Sequence, residues 1–171
     1  MELLIPGLIL VALMVWASTK IKKTAAAAYE QETVSTAEFT IVKPDGFIIP
    51  VSDESPYLFE ARTKEYETLR KESIPQVSAV VTKQVGETFE SVCEGIKAVA
   101  ARVTSEDVHR EGSRVCVIEA EEEENGVTYA TRFKILESTG EILVLRLRAV
   151  GEQSDDTSRK IDEMVRSFAA S

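Results

Sequence analysis

Histidine and cysteine are nearly missing from this sequence: it has one histidine, His109, and two cysteines, Cys93 and Cys116. A structural zinc site takes four Cys or His ligands, so three scattered residues exclude one. Two cysteines without a C-x-x-C spacing make no disulfide framework. There is no G-x-S-x-G, H-E-x-x-H, P-loop or G-x-G-x-x-G, so the familiar templates for hydrolysis and nucleotide binding are missing too. Positive charge is scarce. Apart from Glu2 and a cluster of Lys20, Lys22 and Lys23, the rest of the chain holds 17 Lys/Arg against 28 Asp/Glu, a charge of about −11. A protein that binds duplex nucleic acid needs a cationic face to displace counterions, and none is visible here, so no nucleic-acid partner is expected.

What the sequence does have begins at its first residues. Between Leu3 and Thr19 there is no charge, and Leu3, Leu8, Leu10, Leu13 and Trp16 lie in this apolar run. About 17 residues of helix span roughly 25 Å, the short end of what crosses a bilayer. Trp16 sits where an indole favours the interface, and the lysine stems lengthen the span by reaching outward. Pro6 falls in the first turn, where its missing N–H costs nothing. A cleaved signal peptide would need a basic residue before the run; here only Met1 and Glu2 precede it. A soluble buried helix would need partners all round. The reading is a single-pass signal-anchor over 1–23. Lys20, Lys22 and Lys23 set its topology: positive charge stays inside, so the N-terminus faces out and the globular domain the cytoplasm, with both cysteines reduced. If the domain instead lay in an oxidising compartment, a Cys93–Cys116 disulfide would be open to it.

Of the 171 residues, 44% are apolar and 29% charged, a globular balance. The 150 or so residues beyond the run can bury about two-thirds of their unfolded surface. Residues 24–37 read as a juxtamembrane helix or linker, and a globular domain as starting at 38. FTIVK alternates as a strand, with Phe39 and Ile41 on one face and Pro44-Asp45-Gly46 as its turn. Residues 57–63 predict a strand with Leu58 or Phe59 inward, 64–73 a polar helical turn or loop, and 75–85 a β-branched strand. Phe89, Val92, Cys93, Ile96, Val99, Ala100 and Val103 repeat at helical spacing over 86–103, with Thr88 as N-cap and Gly95 expected at a close contact. Asn125-Gly126 is a two-residue hairpin turn joining 113–123 to 127–136. A turn at 138–140 leads to 141–150, where Leu143, Leu145 and Leu147 face the core and Arg146 and Arg148 the solvent. A closing helix over 155–170 carries the stripe Ile161, Met164, Val165 and Phe168, capped by Ser154, Asp155 or Asp156. The class is α+β, an antiparallel β-sheet covered by two helices.

The residues with chemistry in them point mostly to structure. Glu119 and Glu121–Glu124 lie on a strand, whose alternation sends neighbouring carboxylates to opposite faces and disperses them as cation ligands. His109 falls in a polar connector, without a positioned nucleophile. Cys93 lies on the core stripe, where a thiol stays protonated. Asp155-Asp156 and Asp162-Glu163 are helix-cap and helix-surface charges. No catalytic residue, metal ligand or cofactor site is expected.

Three stretches in this order resemble the PsbP-like α/β/α sandwich: FTIVKPDGF (39–47), ETFESVCEGIKAV (87–99) and KIDEMVRSF (160–168). The resemblance spans residues 38–171. It implies a small non-enzymatic binding or assembly domain, of the kind often attached to larger complexes. The photosynthetic members are delivered by cleaved presequences, unlike this chain, and no ligand cluster matches their ion sites. The expected function is therefore a membrane-tethered, non-catalytic interaction or assembly domain. It would bind the lipid bilayer through residues 3–19 and an unknown protein partner through the domain. The alternatives are a small-ligand-binding domain, an unrecognised enzyme, or the same domain secreted or periplasmic.

Overall fold

The structure, a computed structural model, describes residues 14, 16, 20, 26–51, 55–67, 73–111, 113–138 and 140–171. Most of the apolar run lies outside these residues, including Leu3, Leu8, Leu10 and Leu13, as do Lys22 and Lys23. Trp16 and Lys20 are described: both are exposed, with the Lys20 ammonium 5.2 Å from the centre of the Trp16 ring. Among the described residues no helix is long and apolar enough to cross a membrane.

Among the described residues that follow, eleven strands and two long helices are defined. They are β1 (Glu32–Ser35), β2 (Phe39–Lys43), β3 (Phe59–Arg62), β4 (Glu65–Glu67), β5 (Ser73–Pro75), β6 (Val77–Gln84), α1 (Phe89–Val99), β7 (Arg102–Glu111), β8 (Ser113–Glu124), β9 (Val127–Ser138), β10 (Glu141–Val150), α2 (Asp155–Ser167) and β11 (Ala169–Ala170). Six of the strands form one antiparallel sheet in the order β3-β6-β10-β9-β8-β7. The meander from β7 to β10 supplies four adjacent strands. Its middle turn is the Asn125-Gly126 pair, and both residues adopt positive φ (54° and 74°), as a type I′ turn requires.

β10 lies in the middle of the sheet and is buried on both faces, which explains its continuous apolar run. Leu143, Leu145 and Leu147 point to one face and Ile142 and Val144 to the other. The first face is closed by α2 and by a three-stranded sheet, β1-β2-β11. There Ile161, Met164, Val165 and Phe168 pack with Phe39, Ile41 and Phe47, and the rings of Phe39 and Phe168 meet edge to face at 5.8 Å. The second face carries α1, whose Phe89 and Cys93 sit on Cys116, Ile118, Phe133 and Ile135.

Two lysines are drawn into the closed side. Lys43 is 1% exposed. Its ammonium donates to the carbonyl oxygens of Ala28 and Phe47, each at 3.1 Å, and to that of Glu30. Lys134 donates to the carbonyls of Val165 (2.8 Å) and Phe168 (2.7 Å), at the end of α2. There it satisfies orphan acceptors and meets the negative end of the helix dipole. Burial holds the Lys134 ammonium below the usual lysine range.

Several elements differ from the sequence pattern. The stretch read as a juxtamembrane linker contributes β1, paired to β2 in register Val34↔Ile41. The polar segment 64–73, read as a helical turn or loop, holds parts of the hairpin β4-β5. The helix expected over 86–103 stops at Val99, with Ala100 extended as its C-cap, because residues 102–111 pair with β8 instead. The connector around His109 is thus an edge strand, whose polar side chains hid it from a pattern search. Phe59 is inward and Leu58 half-exposed. The closing helix ends at Ser167, and Ala169–Ala170 add a short strand to β2.

Candidate functional site

Helix α1 covers only part of its face of the sheet. It begins with Thr88, whose hydroxyl accepts from the Ser91 amide at 3.2 Å. It then runs over β8 and β9, toward which Phe89 and Cys93 point. Val92 and Ile96 lie on the flank that looks toward β6 and β10. Between that flank and the two strands an open groove of about 570 Å³ remains. Val80, Thr82, Phe133, Val144 and Arg146 form its floor and Val92, Gly95, Ile96 and Val99 its helical wall; Tyr57, Gln84, Glu87 and Ser91 also line it, with Glu87 accepting from the Ser91 hydroxyl at 2.6 Å. Gly95 was expected at a close contact. A Cβ there would meet nothing within 4 Å, so its missing side chain keeps the wall low rather than letting a neighbour in. Val99, the last helical residue, is 77% exposed.

The sequence pattern sent Arg146 and Arg148 to solvent; the structure half-buries both. Arg148 is ion-paired and stacked, although its buried Nε has no hydrogen bond. Glu124 lies 2.6 Å and Glu122 3.3 Å from it, and its guanidinium stacks 3.8 Å from the centre of the Tyr129 ring. Arg146 lies two positions earlier on the same face, between Val80 and Phe133 in the strand register. Among the described residues it has no hydrogen bond, ion pair or ring contact. Every other described Lys or Arg that is buried or half-buried has a carboxylate or a carbonyl oxygen beside it. Arg146 is thus the exception, a fixed charge on an apolar floor.

The other candidates resolve into structural roles. Glu119 pairs with Arg132 at 2.8 Å, Glu121 with Arg102 at 3.4 Å, and Glu122 accepts from Thr131 at 2.8 Å. Strand alternation splits the acidic run, and among the described residues no three His, Cys, Asp or Glu side chains gather to hold a metal ion. His109 lies on the exposed edge strand, its Nδ1 3.8 Å from Asp107 Oδ2. Cys93 and Cys116 are free buried thiols, and Cys116 Sγ donates to Glu106 Oε1 at 3.8 Å. Burial raises both, with Cys116 pushed up to about 12 by burial and by its neighbour, so neither is a ready nucleophile. Asp155 and Asp156 lie in the first turn of α2, which Ser154 caps. A second, smaller cavity of about 230 Å³ under α2 is lined by the Glu119–Arg132 pair, Gln153 and Ser158.

No family profile matches the chain, and no curated protein matches it. Solved structures do. CyanoP, the PsbP of the cyanobacterium Synechocystis, superposes with a TM-score of 0.55 at 14% identity, covering 83% of this chain and 92% of that one. LpqN of Mycobacterium tuberculosis, involved in cell envelope biogenesis, gives 0.53 at 14%, covering 83% and 91%. The Ran-binding protein Mog1p of Saccharomyces cerevisiae gives 0.50 at 15%, covering 82% and 95%. The fold is PsbP-like, and identities this low establish the fold alone.

Proposed function

We propose that this chain is a membrane-tethered, non-catalytic interaction domain that docks a protein partner in the α1 groove. The observation that carries this reading is the half-covered face: a largely apolar floor and a helical wall left open, with a larger cavity than any among the described residues on the α2 side of the sheet. Concave apolar surface with a few fixed polar groups is where proteins bind, and a groove along a helix suits a segment of chain. The PsbP-like fold of Mog1p, a Ran-binding protein, gives a precedent for protein binding on this scaffold.

The tether belongs to the same proposal. Residues 3–19 cross the membrane with the N-terminus out, and Lys20, Lys22 and Lys23 hold the domain on the cytoplasmic side. Two experiments test the two halves. A C-terminal phosphatase fusion, active only outside the cytoplasm, stays silent if the topology is right; strong activity reverses it. A photo-crosslinking residue at Val99, in the intact chain in native membranes, captures a partner that the same residue at Arg159 on α2 does not. Equal capture at both positions removes the groove as the docking site.

A further inference from the structure

We propose that the segment received by the α1 groove carries a carboxylate flanked by aliphatic side chains, and that Arg146 receives this carboxylate. The inference rests on the groove being the docking site. Its basis is charge complementarity. Arg146 is half-buried beside Val80, Phe133 and Val144, and its side chain makes no ion pair, hydrogen bond or cation–ring contact among the described residues. Its nitrogens still reach water, so it lies at the edge of an apolar surface with only solvent as its partner. Its neighbour Arg148, on the same strand face, is ion-paired to two carboxylates and stacked on a tyrosine ring, with its Nε left without a hydrogen bond. Arg146 is left for a group from outside, and a guanidinium takes a carboxylate in a two-pronged bond.

The occupant must also be apolar. The domain beyond the anchor is strongly acidic, so a merely acidic peptide is repelled at long range. Only a segment that also buries aliphatic side chains against Val92, Ile96 and Val144 gains enough to bring its carboxylate to Arg146. The groove runs beside α1, whose 11 residues extend about 16 Å, and it is open along its length. A stretch of polypeptide fits such a trough better than a small molecule does, which would be left half in water.

The test uses the intact chain in native membranes, with the photo-crosslinking residue at Val99. The captured partner peptide, sequenced by mass spectrometry, is expected to hold an Asp or Glu within about one helical turn of two or more aliphatic residues. R146E is expected to reduce capture about tenfold or more, R146K to retain part of it, and changing the partner's acid to Lys to restore capture by R146E. A thermal melt on each variant separates lost binding from lost folding. Undiminished capture by folded R146E or R146M, or a captured peptide without an acidic residue, overturns the inference and leaves the groove standing. Capture at Val99 no greater than at Arg159 overturns both. A fatty acid recovered from the purified protein in stoichiometric amount assigns the carboxylate to a lipid and overturns the protein segment as occupant.

Discussion

The two faces of the six-stranded sheet start from similar apolar patterns and end differently. One is covered by α2 and the small sheet, with Phe39, Phe168, Met164 and Leu145 almost wholly withdrawn from water and only a small cavity left under α2. The other is covered by a single short helix and keeps a trough beside it. The cations differ one by one: on the α2 side, buried Lys43 and half-buried Lys134 take carbonyl oxygens; on the α1 side, Arg148 takes two carboxylates, and among the described residues the side chain of Arg146 takes none of these. A closed face is complete within the chain, whereas an open one with an unprovided charge is complete only with something added. The first holds the larger of the two core clusters, and the second is where we propose that a partner binds.

That contrast can be broken most directly by truncating side chains on each face. Phe168→Ala should cost about 3–5 kcal/mol in denaturant unfolding, whereas Ile96→Ala, on the groove wall, should cost about 1 kcal/mol or less. Equal costs would mean that the groove is shut in solution. Lys43→Met should cost about 2 kcal/mol, because it removes the ammonium from the carbonyls of Ala28 and Glu30 and strands the buried carbonyl of Phe47. Amide exchange should then quicken in β1 before the rest of the sheet, and unchanged exchange there would remove Lys43 as the clasp of that strand. Gly95→Ala should raise stability by about 0.5–1 kcal/mol, since the new Cβ meets open space and the helix gains propensity. It should also weaken capture at Val99, because it raises the wall. Arg146→Met should leave stability within about 0.5 kcal/mol of the parent, or slightly above it, while capture is lost. A clear loss of stability would show that Arg146 has a structural partner after all.

The parts of this fold that the sequence discloses are those set by near neighbours. Asn125-Gly126 specifies its turn because both positions need positive φ. The stripe from Ile161 to Phe168 specifies a helix because its spacing keeps one face apolar. Thr88 and Ser154 mark where helices begin because their hydroxyls accept from amides three residues on. β7 was illegible for the opposite reason: on an exposed edge strand a polar residue costs nothing on either side, so no alternation is imposed. The hairpin β4-β5 and strand β1 are short and lie outside the large sheet, and their pairing is invisible from composition. The groove was illegible altogether, since Val80, Val92, Val144 and Arg146 each look like ordinary members of their own elements.

The sequence alone determined that this chain makes an antiparallel α+β domain with two amphipathic helices, because hydrophobic periodicity, caps and turns act over a few residues. Only the tertiary structure decided which apolar surface stays uncovered and which arginine goes without a partner. Strand order brings β6 and β10 together across 58 to 72 positions of chain. The register then carries Glu122 and Glu124 to Arg148 and none to Arg146. Contacts between distant parts of the chain fix both outcomes, and no local pattern records them.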